Sequence, residues 1–223
     1  MTVDTRIIKL IVFDIDGTLA ETDDYYVEKS AVLLHKIMPF VSIENIQKTV
    51  RPLIMVGETL LHGFYSLLDK ISLDGVISKL HAKLSVKNEY RYQEVTGMEE
   101  TLRELSLSYE LGIITSGSRN STDAFLKKYN LENLISYVIS AEDCKFIKPN
   151  PEPMLKIAEQ AGIFPENCLM VGDTVFDILC ARRAGAYAAA VKSGFDTKAF
   201  LLKYQPDYLL NSVNELPEIL IKK

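Results

Sequence analysis

The spacing of apolar residues changes twice along the chain. The first apolar stretch, Ile7–Phe13, is almost continuous and rich in β-branched residues, which is typical of a buried strand in a parallel sheet. After Leu19 the apolar residues recur every three or four positions, as in amphipathic helices, until about residue 94. From Gly97 onward short apolar runs alternate again with helical segments. The pattern therefore predicts a helical insertion of about 75 residues inside an α/β core.

The alternating part of the chain predicts a sheet of six strands. After the first strand we expect Leu111–Thr115, Tyr137–Ser140, Cys168–Val171, Ala186–Val191 and a short last strand, Tyr208–Leu210. Helices are predicted over about 22–38 and 42–50 in the insertion, and over Glu99–Leu107, 120–129, Glu152–Ala161 and a segment with Asp177 in its first turn. Strands that alternate with helices favour a parallel sheet with right-handed crossovers. The core is predicted to comprise residues 1–19 and 95–223, and the insertion residues 20–94.

Composition and charge narrow the classes of function. Of the 223 residues, 48% are hydrophobic and 25% are charged, which is enough apolar material for a sizeable core. The formal net charge of -5 argues against binding to nucleic acid or to an anionic membrane surface. No apolar run approaches the roughly 18 residues of a membrane span, and the first residues lack a signal-peptide pattern. We therefore expect a cytoplasmic protein whose three scattered cysteines stay reduced.

Polar residues suited to chemistry follow the predicted strands directly. They are Asp14 and Asp16 after the first strand, Thr115 and Ser116 after the second, Lys148 after the third, and Asp173 and Asp177 after the fourth. The carboxyl ends of parallel strands share one edge of the sheet, so these side chains should converge on one crevice. Clustered acids need a compensating cation, and their oxygens suit Mg²⁺, whereas a lysine and a hydroxyl suit phosphoryl oxygens. The convergence predicts phosphoryl transfer with Mg²⁺ as cofactor.

Four of these segments resemble the sequence motifs of one enzyme superfamily. They are Asp14-Ile15-Asp16-Gly17-Thr18, Thr115, Lys148 and Gly172-Asp173-Thr174-Val175-Phe176-Asp177, and their order and spacing are similar to those of the haloacid dehalogenase-like (HAD) hydrolases. The insertion between Leu19 and Gly97 resembles the helical cap of the phosphoglycolate phosphatase and β-phosphoglucomutase branch. The resemblance implies a Rossmann-like parallel sheet with helices on both faces, and a cap domain that closes over the crevice.

The resemblance also implies which residues carry the chemistry. Asp14 matches the nucleophile that forms an aspartyl-phosphate. Asp16 matches the general acid that protonates the leaving oxygen and then activates water as a base. The Asp14 carboxylate, the Asp16 backbone carbonyl and Asp173 match the Mg²⁺ ligands.

Further residues match the groups that hold the phosphate and the nucleophile. Thr115 and the Ser116 backbone N–H match the phosphate-binding pair, and Lys148 matches the lysine that holds the nucleophile and the phosphate. Asp177 matches a residue that orients Lys148 or a metal-bound water. In the cap, Arg51 is a candidate for binding a second anion of the substrate, although an arginine that simply ends a helix in solvent is an equally good interpretation.

The resulting prediction is a magnesium-dependent phosphatase for a small phosphorylated metabolite, resembling phosphoglycolate phosphatase and acting as a monomer or weak homo-oligomer. Sugar phosphates, nucleotides and pyrophosphate remain alternative substrates. A β-phosphoglucomutase-like phosphomutase remains an alternative, because no residue shows whether the intermediate is kept from water. A receiver-like signalling module that accepts a phosphoryl group on aspartate is an alternative from another class. Receivers are usually about half this length and lack the insertion, which disfavours them. A catalytically silent binding protein on the same fold is a further alternative.

Overall fold

Parallel strands form the centre of the fold in the computed structural model, which describes residues 7–21, 23–50, 53 and 94–221. The described strands are β1 (Leu10–Phe13), β2 (Glu110–Ile114), β3 (Tyr137–Ile139), β4 (Cys168–Gly172), β5 (Tyr187–Val191) and β6 (Tyr208–Leu210). They form one sheet in the order β3-β2-β1-β4-β5-β6, and every neighbouring pair is parallel. The predicted α/β fold is confirmed.

The described α-helices lie at the predicted positions, except for the last two. They are α1 (Asp23–Ile37), α2 (43–50), α3 (Met98–Ser106), α4 (Arg119–Lys128), α5 (Glu152–Ala161), α6 (Val175–Ala184), α7 (Lys198–Lys203) and α8 (Leu216–Leu220). The sequence pattern did not predict α7 and α8, because helices of 6 and 5 residues are too short to show a helical repeat. None of the described helices combines the length and the apolar character that crossing a membrane requires.

The first strand is shorter than predicted. Its pairing with β2 and with β4 begins at Leu10, opposite Glu110 and Cys168. Residues 7–9 precede the residues that pair with both neighbouring strands, so the apolar run begins before the strand does. The apolar pattern marked burial correctly for Ile8, but it could not show where the partner strands begin.

The side chains of β1 alternate between two apolar layers. Ile11 and Phe13 pack in one layer with residues of α3, α4 and α8. Leu10 and Val12 pack in the other layer with residues of α5, α6 and α7. All four side chains are fully buried, which explains why this strand reads as a continuous apolar run. Helices therefore cover both faces of the sheet.

The insertion leaves and rejoins the core at neighbouring points. Ala20 and Glu94 form an antiparallel bridge, and the Val95 N–H donates to the Leu19 carbonyl at 3.0 Å. This pairing is consistent with a separate domain over 20–94, whose boundaries stay a prediction. Much of the predicted cap, including Arg51, lies outside the described residues.

The order of the strands defines where a ligand site belongs. Strand β1 lies between β2 and β4, so the chain runs toward opposite edges of the sheet from this central strand. In open α/β sheets such a reversal creates a crevice at the carboxyl ends of the strands. Asp14 follows β1 directly, Thr115 follows β2 and Asp173 follows β4. The topology therefore brings three of the predicted segments to the same crevice.

Leu169→Ala in β4 should lower the free energy of unfolding by about 2–5 kcal/mol, because truncation of a fully buried side chain leaves a cavity. The matched control, Leu107→Ala, removes the same atoms from a side chain that is 85% exposed. It should change the free energy by less than about 0.5 kcal/mol. Denaturant unfolding followed by circular dichroism measures both values, and equal losses would contradict the burial of β4.

Candidate active site

A tight turn after β1 carries the first two acids. The Asp14 N–H donates to the Val171 carbonyl at 2.9 Å, which keeps this position paired with β4. The Ile15 carbonyl then accepts the N–H groups of residues 18, 19 and 20. Gly17 has a φ of 78°, a left-handed conformation that favours glycine. The Asp-x-Asp-Gly sequence therefore sets both the chemistry and the turn.

Lys148 contacts the ends of β1 and β2 and the first turn of α6. Its Nζ lies 2.7 Å from Asp14 Oδ1 and 2.6 Å from Asp177 Oδ1. It also donates to the Ile114 carbonyl, at 3.4 Å, at the end of β2. The Lys148 side chain is only 6% exposed, so both ion pairs lie largely out of water, where their attraction is stronger. Lys148 thus holds the end of β1 against the start of α6.

Asp177 is fixed by the helix on which it lies. Its Oδ2 accepts the Thr174 N–H at 3.1 Å and the Thr174 hydroxyl at 2.7 Å, which completes a capping box at the start of α6. Its Oδ1 faces Lys148. Gly172 makes this arrangement possible, because a Cβ there would overlap the Asp177 side chain. The Gly-Asp-Thr-x-x-Asp motif is therefore a packing unit as well as a source of acids.

Asp173 is fully buried between two glycine-containing segments. The Phe195 N–H donates to its Oδ2 at 2.8 Å, and the Thr18 hydroxyl donates to its Oδ1 at 3.3 Å. A Cβ at either Gly17 or Gly194 would overlap the Asp173 carboxylate. Backbone atoms thus approach this carboxylate from both sides.

The loop after β2 places Thr115 and Ser116 next to the carbonyl that Lys148 contacts. The Thr115 N–H donates to the Ile139 carbonyl at 3.0 Å. The Thr115 hydroxyl accepts the Gly117 N–H at 3.0 Å. Thr115 is buried, whereas Ser116 is half-buried. The hydroxyl is oriented by the turn that follows the strand.

Burial shifts the proton affinities of the acids upward. It raises the pKa of Asp14 to about 7, although Lys148 opposes the rise, and the Asp177 and Asp16 charges add to it. Burial likewise raises the pKa of Asp16 to about 6. The pKa of Asp173 lies well above its ordinary value because of burial and the Asp14 and Asp177 charges. Burial lowers the pKa of Lys148, but its two carboxylate partners outweigh this effect and the net shift is upward.

The acids fit a hard divalent cation. One carboxylate oxygen each of Asp14, Asp173 and Asp177 lies within 4.8 Å of the others. Asp16 Oδ1 is buried and has no hydrogen-bond partner in the part of the chain that the structure describes. Buried carboxylates in excess over a lysine need further positive charge, and a set of donors made only of oxygens suits Mg²⁺. The triad contains two of the predicted ligand residues, Asp14 and Asp173, together with Asp177, whose oxygens face Lys148 and Thr174.

Comparisons with known proteins decide the family. A family model for haloacid dehalogenase-like hydrolases matches residues 11–191. The chain belongs to the haloacid dehalogenase-like hydrolases. Among curated HAD relatives, pyrophosphatase PpaX of Bacillus cereus (strain AH820) is 30% identical to it over 214 residues, which is 96% of each chain.

Solved structures agree with this assignment. A HAD-like family hydrolase from Streptococcus pneumoniae superposes with a TM-score of 0.63 at 25% identity, covering 95% of this chain and 97% of the other. A predicted phosphoglycolate phosphatase from Haemophilus somnus superposes with a TM-score of 0.63 at 20% identity, covering 96% and 98%, and shows the likeness of fold. The predicted family and the assignment as a phosphatase-type hydrolase are confirmed.

The structure brings most of the predicted site residues to one crevice. Lys148 contacts Asp14 and Asp177 directly, and Asp173 belongs to the same acidic cluster. Asp16, Thr115 and Ser116 lie in the turns that follow β1 and β2. Arg51 lies outside the described residues. The individual roles of all these residues stay predictions.

Sequence reasoning missed the loop after β5. In this loop the Phe195 N–H donates to Asp173, and the Asp196 carboxylate accepts the Val175 N–H at the start of α6. A signal was present, because Ser193 and Gly194 follow a predicted strand, as Asp14 and Asp173 do. Ligands bind beyond the carboxyl ends of the strands in open α/β sheets, and this loop lies at such an end.

Raising the pH should destabilise the metal-free protein through Asp14. Its pKa is about 7 in the folded protein against an ordinary 3.8, so the folded state keeps a proton that the unfolded state has released. The stability contributed by this group is full below about pH 4 and is lost as the pH rises to about 7. Thermal unfolding in EDTA between pH 5 and pH 8 measures the loss.

Asp14→Asn should reduce the slope of this pH profile without abolishing it, because position 14 no longer titrates while Asp16 and Asp173, whose pKa values are also raised, still do. The control is Asp123→Asn, which neutralises an exposed acid on α4 and should keep the wild-type slope. An Asp14→Asn slope equal to that of wild type would contradict the raised pKa of Asp14.

Proposed function

We propose that the protein is a magnesium-dependent phosphatase that hydrolyses a small phosphorylated metabolite through an aspartyl-phosphate on Asp14. The observation that carries this proposal is the 2.7 Å contact between Asp14 and Lys148 inside a buried acidic cluster. A lysine in this position orients the carboxylate and adds positive charge where a phosphoryl group would bind. Phosphoryl transfer depends mainly on such positioning and charge neutralisation.

In the first step, a carboxylate oxygen of Asp14 attacks phosphorus as the ester P–O bond breaks on the opposite side. The Asp16 carboxyl donates its proton to the leaving oxygen. A pKa raised to about 6 suits this role, because a useful fraction of the carboxyl group remains protonated near neutral pH. The product of this step is an aspartyl-phosphate and an alcohol.

In the second step, water attacks the phosphorus of the intermediate. The Asp16 carboxylate, which lost its proton in the first step, takes one from the attacking water. The P–O bond to Asp14 breaks, and inorganic phosphate leaves with the original carboxylate restored. Asp16 therefore serves as acid and then as base, which requires that its carboxyl group reach both the leaving oxygen and the water.

The roles of the groups around the phosphate are those that the family resemblance implies, and the positions of these groups near the strand ends support them. The Thr115 hydroxyl and the Ser116 N–H would bind phosphoryl oxygens, and Lys148 would contact both the nucleophile and the phosphate. Asp177 would act through Lys148, whose ammonium group it contacts at 2.6 Å. The capping box that fixes Asp177 supports this positioning role.

Asp14, Asp173 and the backbone carbonyl of Asp16 would hold Mg²⁺. When bound, Mg²⁺ supplies positive charge beside the phosphoryl oxygens and offsets the repulsion among the acids. The oxygen donors and the charge excess of the buried cluster support this assignment.

The curated relative points to one class of substrate. PpaX is a pyrophosphatase by name, which favours pyrophosphate, beside phosphoglycolate-like esters, among the candidate substrates of this chain. Residues 20–94 would form a cap that contributes substrate contacts, with residues 1–19 and 95–223 as the core. The bridge between Ala20 and Glu94 supports a shared hinge for such a cap.

Asp14→Asn should lower kcat for hydrolysis of an aryl phosphate by about 10³-fold or more, because an amide is a poor nucleophile. Phosphate release with and without Mg²⁺ measures the effect. Asp123→Asn is the control, because it removes the same charge from an exposed position on α4 and should leave kcat unchanged. Unaltered hydrolysis in Asp14→Asn would falsify the assignment of Asp14 as nucleophile.

A substrate screen for phosphate release should separate the remaining possibilities. Pyrophosphate, phosphoglycolate, sugar phosphates and nucleotides form the panel, each assayed in Mg²⁺ and in EDTA. We expect Mg²⁺-dependent phosphate release from at least one of them. Isomerisation of a sugar monophosphate without phosphate release would favour a phosphomutase. A long-lived phospho-aspartate without turnover of any ester would favour a receiver-like module.

A further inference from the structure

The loop after β5, residues 192–196, is attached to three separate parts of the site. The Ser193 hydroxyl donates to the Gly17 carbonyl at 2.9 Å. The Phe195 N–H donates to Asp173 Oδ2 at 2.8 Å. Asp196 Oδ2 accepts the N–H of Val175, the first residue of α6, at 2.8 Å. Five consecutive residues therefore contact the turn after β1, the acid after β4 and the helix that carries Asp177.

Residues 17–18 and residues 193–195 enclose the Asp173 carboxylate. We call these two segments the clamp. A Cβ placed on Gly17 would lie 3.0 Å from the Cα of Gly194, so the two walls of the clamp nearly touch. Each wall also donates one hydrogen bond to Asp173, from the Thr18 hydroxyl and from the Phe195 N–H. The carboxylate thus has little freedom to turn while both walls stay in place.

The Ser193 hydroxyl joins the two walls of the clamp. Its acceptor, the Gly17 carbonyl, belongs to the residue next to Asp16, so the bond also fixes the turn that carries the two catalytic acids. Groups that orient metal ligands without touching the metal commonly set its affinity. Loss of the hydroxyl would leave the Gly17 carbonyl without this bond and would let the Phe195 N–H shift relative to Asp173.

We propose that Ser193 is a positioning residue of the phosphatase site, which fixes the clamp around Asp173 and so sets the affinity for Mg²⁺. This inference rests on the proposed function. Ser193 touches neither the phosphoryl group nor the metal in this role. It acts through Gly17 and through the backbone N–H of Phe195.

The test is a calorimetric titration of Mg²⁺ into the substrate-free protein, comparing wild type with Ser193→Ala and Ser193→Thr. Ser193→Ala removes the bond to Gly17 and should weaken Mg²⁺ binding by about tenfold. The Mg²⁺ concentration for half-maximal hydrolysis of an aryl phosphate should rise by the same factor. Ser193→Thr keeps a hydroxyl and should return the Mg²⁺ affinity to within about twofold of wild type.

Ser106→Ala is the matched control, because the Ser106 hydroxyl donates to a backbone carbonyl, that of Arg103, at 2.8 Å outside the clamp. It should leave the Mg²⁺ affinity unchanged. A residue with a merely structural role would lower the melting temperature without changing the Mg²⁺ constant. That result in Ser193→Ala would overturn the inference.

The wild-type titration separates failure of this inference from failure of the proposed function. Wild-type protein that binds no Mg²⁺ and hydrolyses no phosphate ester would overturn the proposed function, and the role of Ser193 with it. The other outcome is that wild-type protein binds Mg²⁺ and hydrolyses an aryl phosphate, and Ser193→Ala binds Mg²⁺ equally well. That outcome would overturn the role of Ser193 alone.

Discussion

The buried contact of Lys148 with Asp14 and Asp177 is the constraint on which the rest of the site depends. Removing a lysine and two carboxylates from water costs free energy, and an unbalanced buried charge costs more. The same cluster also contains Asp173, so full ionisation of its three carboxylates would exceed the charge of one lysine, and protons or a cation must balance the rest. An arrangement of this kind is poorly explained by stability. It agrees with the proposed binding of a cation and a phosphoryl group at this crevice.

The parallel sheet supplies the geometry that makes this cluster possible. Strand β1 is buried on both faces by alternating side chains, which fixes the position of Asp14 at its end. Pairing with β4 places Asp173 next to that end. Glycines at positions 17, 172 and 194 then let backbone and carboxylates approach more closely than a Cβ would allow. The packing of the core therefore also sets the geometry of the acidic site.

Much of the core could be predicted because its signals are local. Continuous apolar strands, amphipathic helices and polar residues just past the strand ends can all be recognised within short windows. The start of β1 at Leu10 and the short helices α7 and α8 could not, since the first depends on where other strands begin and the others are too short for a repeat. The contacts of the loop after β5 were also missed, because Gly17 and Ser193 are distant in sequence.

The sequence by itself determined the kinds of groups and the order in which they occur: acids after β1 and β4, hydroxyls after β2, and a lysine after β3. Only the tertiary structure decided which oxygen faces which partner. Asp177 divides its two oxygens between Thr174 and Lys148, and Asp173 lies between two glycine-containing segments. The physical reason is range. Secondary-structure propensity and the apolar pattern can be read from neighbouring residues of the chain. Ion pairs and close backbone approach depend instead on distances that exist only after the strands have paired.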